Sequence, residues 1–196
     1  MDIVGDKNIY QNKERFVAII GSRKANEREL EIAYNLSRKL VQKGYIIVSG
    51  LALGVDTYAH KGAIDGKGKT IAIVSTSPGE PIYPKENQNL ANIIKKHGCI
   101  IYPYNEPARW EKGFNQFQKR LVERDVLLAH LCPRIIVVKN EDIIIGGTAW
   151  GVNYGIKFNK DVWRVDNNYK FYKNPEHEKK EVWWDMELEL NMLLEQ

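Results

Sequence analysis

Six short apolar runs, rich in β-branched residues and separated by helical patterns, constrain this chain most. They are FVAII (16–20), YIIVS (45–49), TIAIV (70–74), CIIYP (99–103), IIVV (135–138) and DVWRV (161–165). Runs this short, without polar alternation, suit strands buried on both faces, as in a parallel sheet. Between the first two, Asn26 and Glu29 form a capping box, Leu30, Ala33, Leu36, Leu40 and Val41 an apolar stripe, and Gly44 a stop. Further helices are expected at about 55–64, 86–97 and 117–131. The alternation predicts a doubly wound, mostly parallel α/β sheet of Rossmann-like type, with about six or more strands and helices on both faces. The segment 102–116 reads as a turn-rich aromatic insertion. Beyond Asp166 the pattern lapses, so residues 1–166 are expected to form the core. Residues 167–196 form an extension ending in an acidic, Trp-rich helix.

Charge separates the same two parts. Residues 176–196 carry seven acids and two lysines, a net of −5, whereas residues 1–175 carry 27 basic and 18 acidic side chains, a net of +9. A basic body permits a polyanionic partner. The tail is expected to pack on a sheet edge or a subunit partner, or to cover the basic groove in competition with an anion. No apolar run approaches the roughly 20 residues that span a bilayer, and the N-terminus has no signal-peptide core. Cys99 and Cys132 form no CxxC pair and read as buried thiols of a cytoplasmic protein. No metal site or cofactor is expected.

Ligands of doubly wound sheets bind outside the carboxyl ends of strands. Three Gly-rich turns follow strands here. The first is Gly21-Ser22-Arg23-Lys24, offering a tight turn, a hydroxyl and a guanidinium fork. The second runs from Ser49 through Gly50, Leu51 and Gly54 to Asp56, with His60 and Lys61 beyond. Its two glycines permit an anion-binding nest of amides. Asp56 suits a helix N-terminus as a structural group or a ribose-hydroxyl acceptor, and His60 reads as either a packing residue or a general base. The third is Gly146-Gly147-Thr148, read either as an anion-facing turn or as a plain bend. The dinucleotide fingerprint GxGxxG is absent.

Taken together, GSRK, SGLALGVDTYAHKGAI, GKTIAIV and IYPKENQNL resemble the DprA/Smf family, the DNA-processing proteins of bacteria. Its core belongs to a nucleotide-binding superfamily shared with lysine-decarboxylase-like proteins. The resemblance continues through RDVLLAHL (124–131) to Gly146-Gly147-Thr148 and covers roughly residues 16–166. It implies a non-enzymatic, dimeric binder of single-stranded DNA that serves recombination and loads a recombinase. Arg23, Lys61 and Arg124 match the family's basic pocket, and Trp110, Phe114 and Phe117 are candidates for stacking bases. Where the family usually carries Asn after its helix arginine, this chain has Asp125. The acidic, Trp-rich extension is expected in the place where the family's winged-helix module would follow the core. The superfamily also implies a second reading, a sensor or sequestering protein for a small nucleotide such as an ADP-ribose-like or cyclic signal. A third is a nucleotide hydrolase with His60 or Asp56 as base.

Overall fold

The computed structural model describes residues 1–108, 110, 111 and 114–180, with residues 110, 111, 114 and 115 described by their backbone alone. All six apolar runs form strands: β2 (Phe16–Gly21), β3 (Ile46–Ser49), β4 (Thr70–Ile73), β5 (Gly98–Tyr102), β8 (Arg134–Val138) and β9 (Asp161–Val165). Two further strands, β1 (Asp2–Gly5) and β10 (Phe171–Lys173), pair antiparallel with β5 and β9 at the two edges. The sheet order is β1-β5-β4-β3-β2-β8-β9-β10, and its six central strands are parallel. A separate hairpin, β6 (Trp110–Glu111) and β7 (Phe114–Asn115), lies within the expected insertion.

Five helices cover the sheet: α1 (Glu27–Gln42), α2 (Val55–Asp65), α3 (Gln88–His97), α4 (Gln116–Leu131) and α5 (Gly147–Lys157). The pleat sends alternate residues to opposite faces. Val17, Ile19, Ile47, Ile136, Val138 and Val165 pack with α1 and α2. Ala18, Ile20, Val48, Ile71, Ile135 and Val137 pack with α4 and α5. Burial on both faces explains why the runs carry no polar alternation.

The capping box on α1 is present, with the Asn26 side chain accepting from the Glu29 amide and Glu29 Oε2 from the Asn26 amide. Glu29 is itself buried, and its Oε1 accepts from the Asn140 amide (3.0 Å), tying α1 to the loop after β8. Cys99 and Cys132 are buried free thiols, and burial pushes Cys99 up to about 12. Among the described residues no helix is long and apolar enough to cross a membrane.

Two departures from the sequence reading bear on the site. The third Gly-rich turn opens into the helix α5 rather than a simple bend. The pattern after Asp166 resumes as β10, and residues beyond it return to the loop before α5. There the Ile144 amide donates to Glu176 O (2.9 Å), and the Glu178 amide donates to Ile144 O (2.8 Å). The helix expected over 181–194 of the acidic tail falls outside the described residues.

Candidate nucleotide-binding edge

The loops after β2, β3, β4 and β8 all emerge at the carboxyl ends of parallel strands. The chain winds outward from β2 to β5 in one direction and from β8 to β10 in the other, so the strand order switches between β2 and β8. The first and third Gly-rich turns flank that switch, where a crevice opens in such sheets.

The turns interlock. Val55, at the start of α2, donates its amide to Ser22 O (3.2 Å). Thr148, at the start of α5, donates its hydroxyl to Gly21 O (3.1 Å). Gly21 is held at close quarters, since a Cβ there would lie 2.6 Å from Val55 Cγ2 and 2.7 Å from Val138 O. Gly54 has φ +75°, and any side chain on it would meet the Ser22 carbonyl. Ser22 Oγ accepts from the Lys24 amide (3.0 Å), which closes the first turn and leaves Arg23 and Lys24 exposed.

Much of the second turn is bonded from within. The Gly50 and Ala52 amides donate to Asp56 Oδ2 (3.1 and 3.2 Å). Ser49 Oγ donates to Ile19 O (2.7 Å). Asn87 Nδ2 donates to Leu51 O (2.8 Å), Ala52 O (3.2 Å) and Thr57 Oγ1 (2.8 Å), while Thr57 donates to Ala52 O (2.7 Å). The amide nest expected here therefore holds the chain's own carboxylate. Ser49 and Leu51 are fully buried and hold the turn instead of facing a ligand. Burial pushes Asp56 up to about 6, with Arg124 opposing the shift and Asp125 adding to it.

Arg124, buried on α4, spans this turn. Its Nη1 donates to Gly50 O (2.7 Å), and its Nε and Nη2 donate to Asp125 Oδ1 (3.0 and 2.6 Å). A Cβ on Gly50 would stand 2.5 Å from Arg124 Cζ, so glycine there makes room for the guanidinium. Burial raises Asp125 above the ordinary carboxylate range, while Arg124 first and Arg23 next oppose the shift. Arg124 is thus bonded to this carboxylate, and Arg23 acts on it only through its longer-range field.

The structure does not bring the other expected residues to this point. Lys61 is exposed, with its ammonium 4.9 Å from the Tyr58 ring centroid. It stands six residues beyond Val55, about 9 Å along α2 at the helical rise. His60 is fully buried. Thr70 Oγ1 donates to Ile47 O (3.0 Å) and so accepts from His60 Nδ1–H (2.7 Å), which fixes the tautomer. Burial lowers His60 to about 3. His60 is thus buried and held in its neutral form. Phe117 packs edge-on against Tyr83, with ring centroids 4.9 Å apart. The side chains of Trp110 and Phe114 lie outside the described set.

At the third turn Gly146 and Gly147 are exposed, and a Cβ on either would meet nothing within 4 Å. The Gly146 amide donates to Glu178 Oε2 (3.0 Å), and Lys180 Nζ pairs with the same oxygen (2.7 Å). Lys180 and that amide together hold Glu178 below its usual range. The described end of the acidic tail thus reaches the amide at the start of α5.

Sequence reasoning missed Asn87, Arg164 and Arg120. Arg164 pins the loop after β8, its Nη1 donating to Lys139 O (3.2 Å) and Asn140 O (3.0 Å), its Nη2 to Asp142 (2.7 Å). Arg120 lies 4.2 Å from the Tyr104 ring centroid and reaches Ser77 Oγ (3.4 Å), joining the insertion to the loop after β4. Among the described residues no group of three or more His, Cys, Asp or Glu side chains could hold a metal ion.

A family model for DNA recombination-mediator protein A matches residues 3–179. The chain belongs to that family. It is 29% identical to DNA processing protein DprA of Bacillus subtilis over 134 residues, covering 67% of this chain and 42% of that protein. It is 30% identical to protein Smf of Synechocystis over 155 residues, covering 78% of this chain and 36% of that protein. The chain therefore spans less than half the length of the curated relatives it matches. The solved structure of DNA processing protein A from Helicobacter pylori, described for its single-stranded DNA binding mode, superposes with a TM-score of 0.71. That match covers 98% of this chain and 86% of that one at 23% identity, a likeness of fold. The match reaches past Asp166 to residue 179, so the family region takes in β10 and the Glu178 strap.

Proposed function

We propose that this protein binds single-stranded DNA without chemistry, along the carboxyl edge of its sheet at the β2–β8 switch. Arg23 is the observation that carries the reading. It is exposed, makes no hydrogen bond or ion pair among the described residues, and stands on the turn beside the switch. Gly21, Ser22, Gly146, Gly147 and Thr148 shape the crevice around it, and Lys61 adds positive charge along α2. Membership of the recombination-mediator family supports the same reading, as does the DNA-binding relative of like fold. A recombinase partner and a homodimer belong to the proposal on family grounds.

Asp56 and His60 give no support to hydrolysis, because both are buried and held by internal hydrogen bonds. The test is a titration with oligo-dT of increasing length beside a panel of free nucleotides. Affinity that climbs with length and falls with salt is the expected result, since each cation placed on the strand releases counterions. Tight, salt-tolerant binding of one free nucleotide, with none of oligo-dT, would replace this reading with a small-nucleotide sensor.

A further inference from the structure

The geometry points to Asp125 as the residue that sets how tightly this edge holds an anionic strand, because its carboxylate takes the edge of Arg124 that would otherwise grip a phosphate. The inference rests on the DNA-binding reading above and deepens it.

A guanidinium recognises phosphate best through two parallel N–H groups. In Arg124 the Nε and Nη2 pair, which forms such an edge, is spent on Asp125 Oδ1. A third donor, on Nη1, is spent on Gly50 O. Neighbouring residues on a helix do not face each other. The Arg124 stem must therefore fold back to reach Asp125, and the Gly50 carbonyl anchors the far side of the guanidinium. Asp56 adds a second negative charge within electrostatic reach. Arg124 is thus balanced by acids on two elements, α2 and α4, before any ligand arrives.

Asp125 also acts on the exposed cation. Its carboxylate lies within the field of Arg23, and 20% of its side-chain surface is open against 10% for Arg124. A phosphate approaching Arg23 meets that negative charge beside it. Of the three cations expected for the pocket, Arg23 is available at this turn, Lys61 lies farther along α2, and Arg124 is withheld. Replacing Asp125 by Asn keeps the shape and an acceptor for Arg124 while removing the charge.

The experiment compares oligo-dT titrations of the wild-type chain, D125N and D125A at two salt concentrations, with thermal unfolding of each. D125N is expected to bind roughly tenfold more tightly at low salt, the worth of one charge-assisted contact. Its slope of log affinity against log salt should become more negative by about 0.7, one further phosphate engaged on a single strand. D125A should move in the same direction. A structural role alone would lower the melting temperature without raising affinity, so weaker binding in both variants, or failure of both to fold, overturns the inference. Wild-type binding left unchanged by D125N overturns the inference alone. Absence of oligo-dT binding in all three chains overturns the DNA reading and the inference with it.

Discussion

The loops after β2 and after β3 are neighbours, both carrying glycine and serine, with opposite fates. Ser49–Gly54 has two glycines and an amide nest, yet its Gly50 and Ala52 amides are taken by Asp56, its Gly50, Leu51 and Ala52 carbonyls by Arg124, Asn87 and Thr57, and its hydroxyl by Ile19. Gly21–Lys24 is plainer, and it leaves Arg23 and Lys24 in solvent. The loop that looks more like a binding motif is the one that has become structure. It braces its neighbour by lending Gly54 and Val55 as the surface on which the first turn rests.

That contrast can be broken most severely at Arg124 and Gly50. R124A leaves Asp125 and Asp56 buried without their cation, and a loss of about 3–5 kcal/mol is expected in denaturant unfolding. G50A forces a methyl group against the same guanidinium, which must move and give up its bond to Gly50 O, so a smaller loss is expected. Unfolding midpoints equal to the wild type in both would show that the second loop is not the brace. R23A marks the opposite pole. Its stability should stay within about 0.5 kcal/mol of the wild type, as for a surface substitution, while oligo-dT affinity drops at least tenfold.

A smaller effect comes through pH. Asp56 is raised from 3.8 to about 6 in the folded chain, so the fold prefers its protonated form. The stability this contributes is full below about pH 4 and is lost as pH rises through about 6. Subtracting the D56N melting curve from the wild-type curve between pH 4 and 7 should expose that downward slope, and a flat difference would mean Asp56 titrates normally. The smallest expected change is at the third turn. E178Q removes the charge on the exposed Gly146 amide and should raise oligo-dT affinity by about twofold, the scale of an exposed helix-terminus interaction, with little change in melting temperature. A decrease in affinity would give Glu178 a supporting role instead.

The central strands were legible because most are buried on both faces and so read as continuous apolar runs, although β9 carries Asp161 and Arg164. The helix α5 was not. It begins Gly-Gly and carries Gly151 and Gly155, which read as loop residues. In the fold they let α5 approach the sheet, where a Cβ would stand 2.7 Å from Ile20 Cδ1 and 2.5 Å from Ile135 Cδ1. The edge strands β1 and β10 are only half-buried or exposed, so neither carries the continuous apolar run that marks a central strand. At the site, Arg23 could be placed from its turn. The withholding of Arg124 could not, because its partner is the adjacent residue, and helix periodicity predicts that such neighbours point apart. His60 sits in a motif that suggests chemistry, and only its burial against Thr70 shows that it packs.

The central claim, that Arg23 is the cation this edge offers and Arg124 the one it keeps, is tested most directly by the salt dependence of oligo-dT binding in the wild-type chain and R23A. The account predicts measurable low-salt binding with a shallow slope in the wild type, and its loss in R23A while the fold persists. Full wild-type affinity and slope in a folded R23A chain would contradict it.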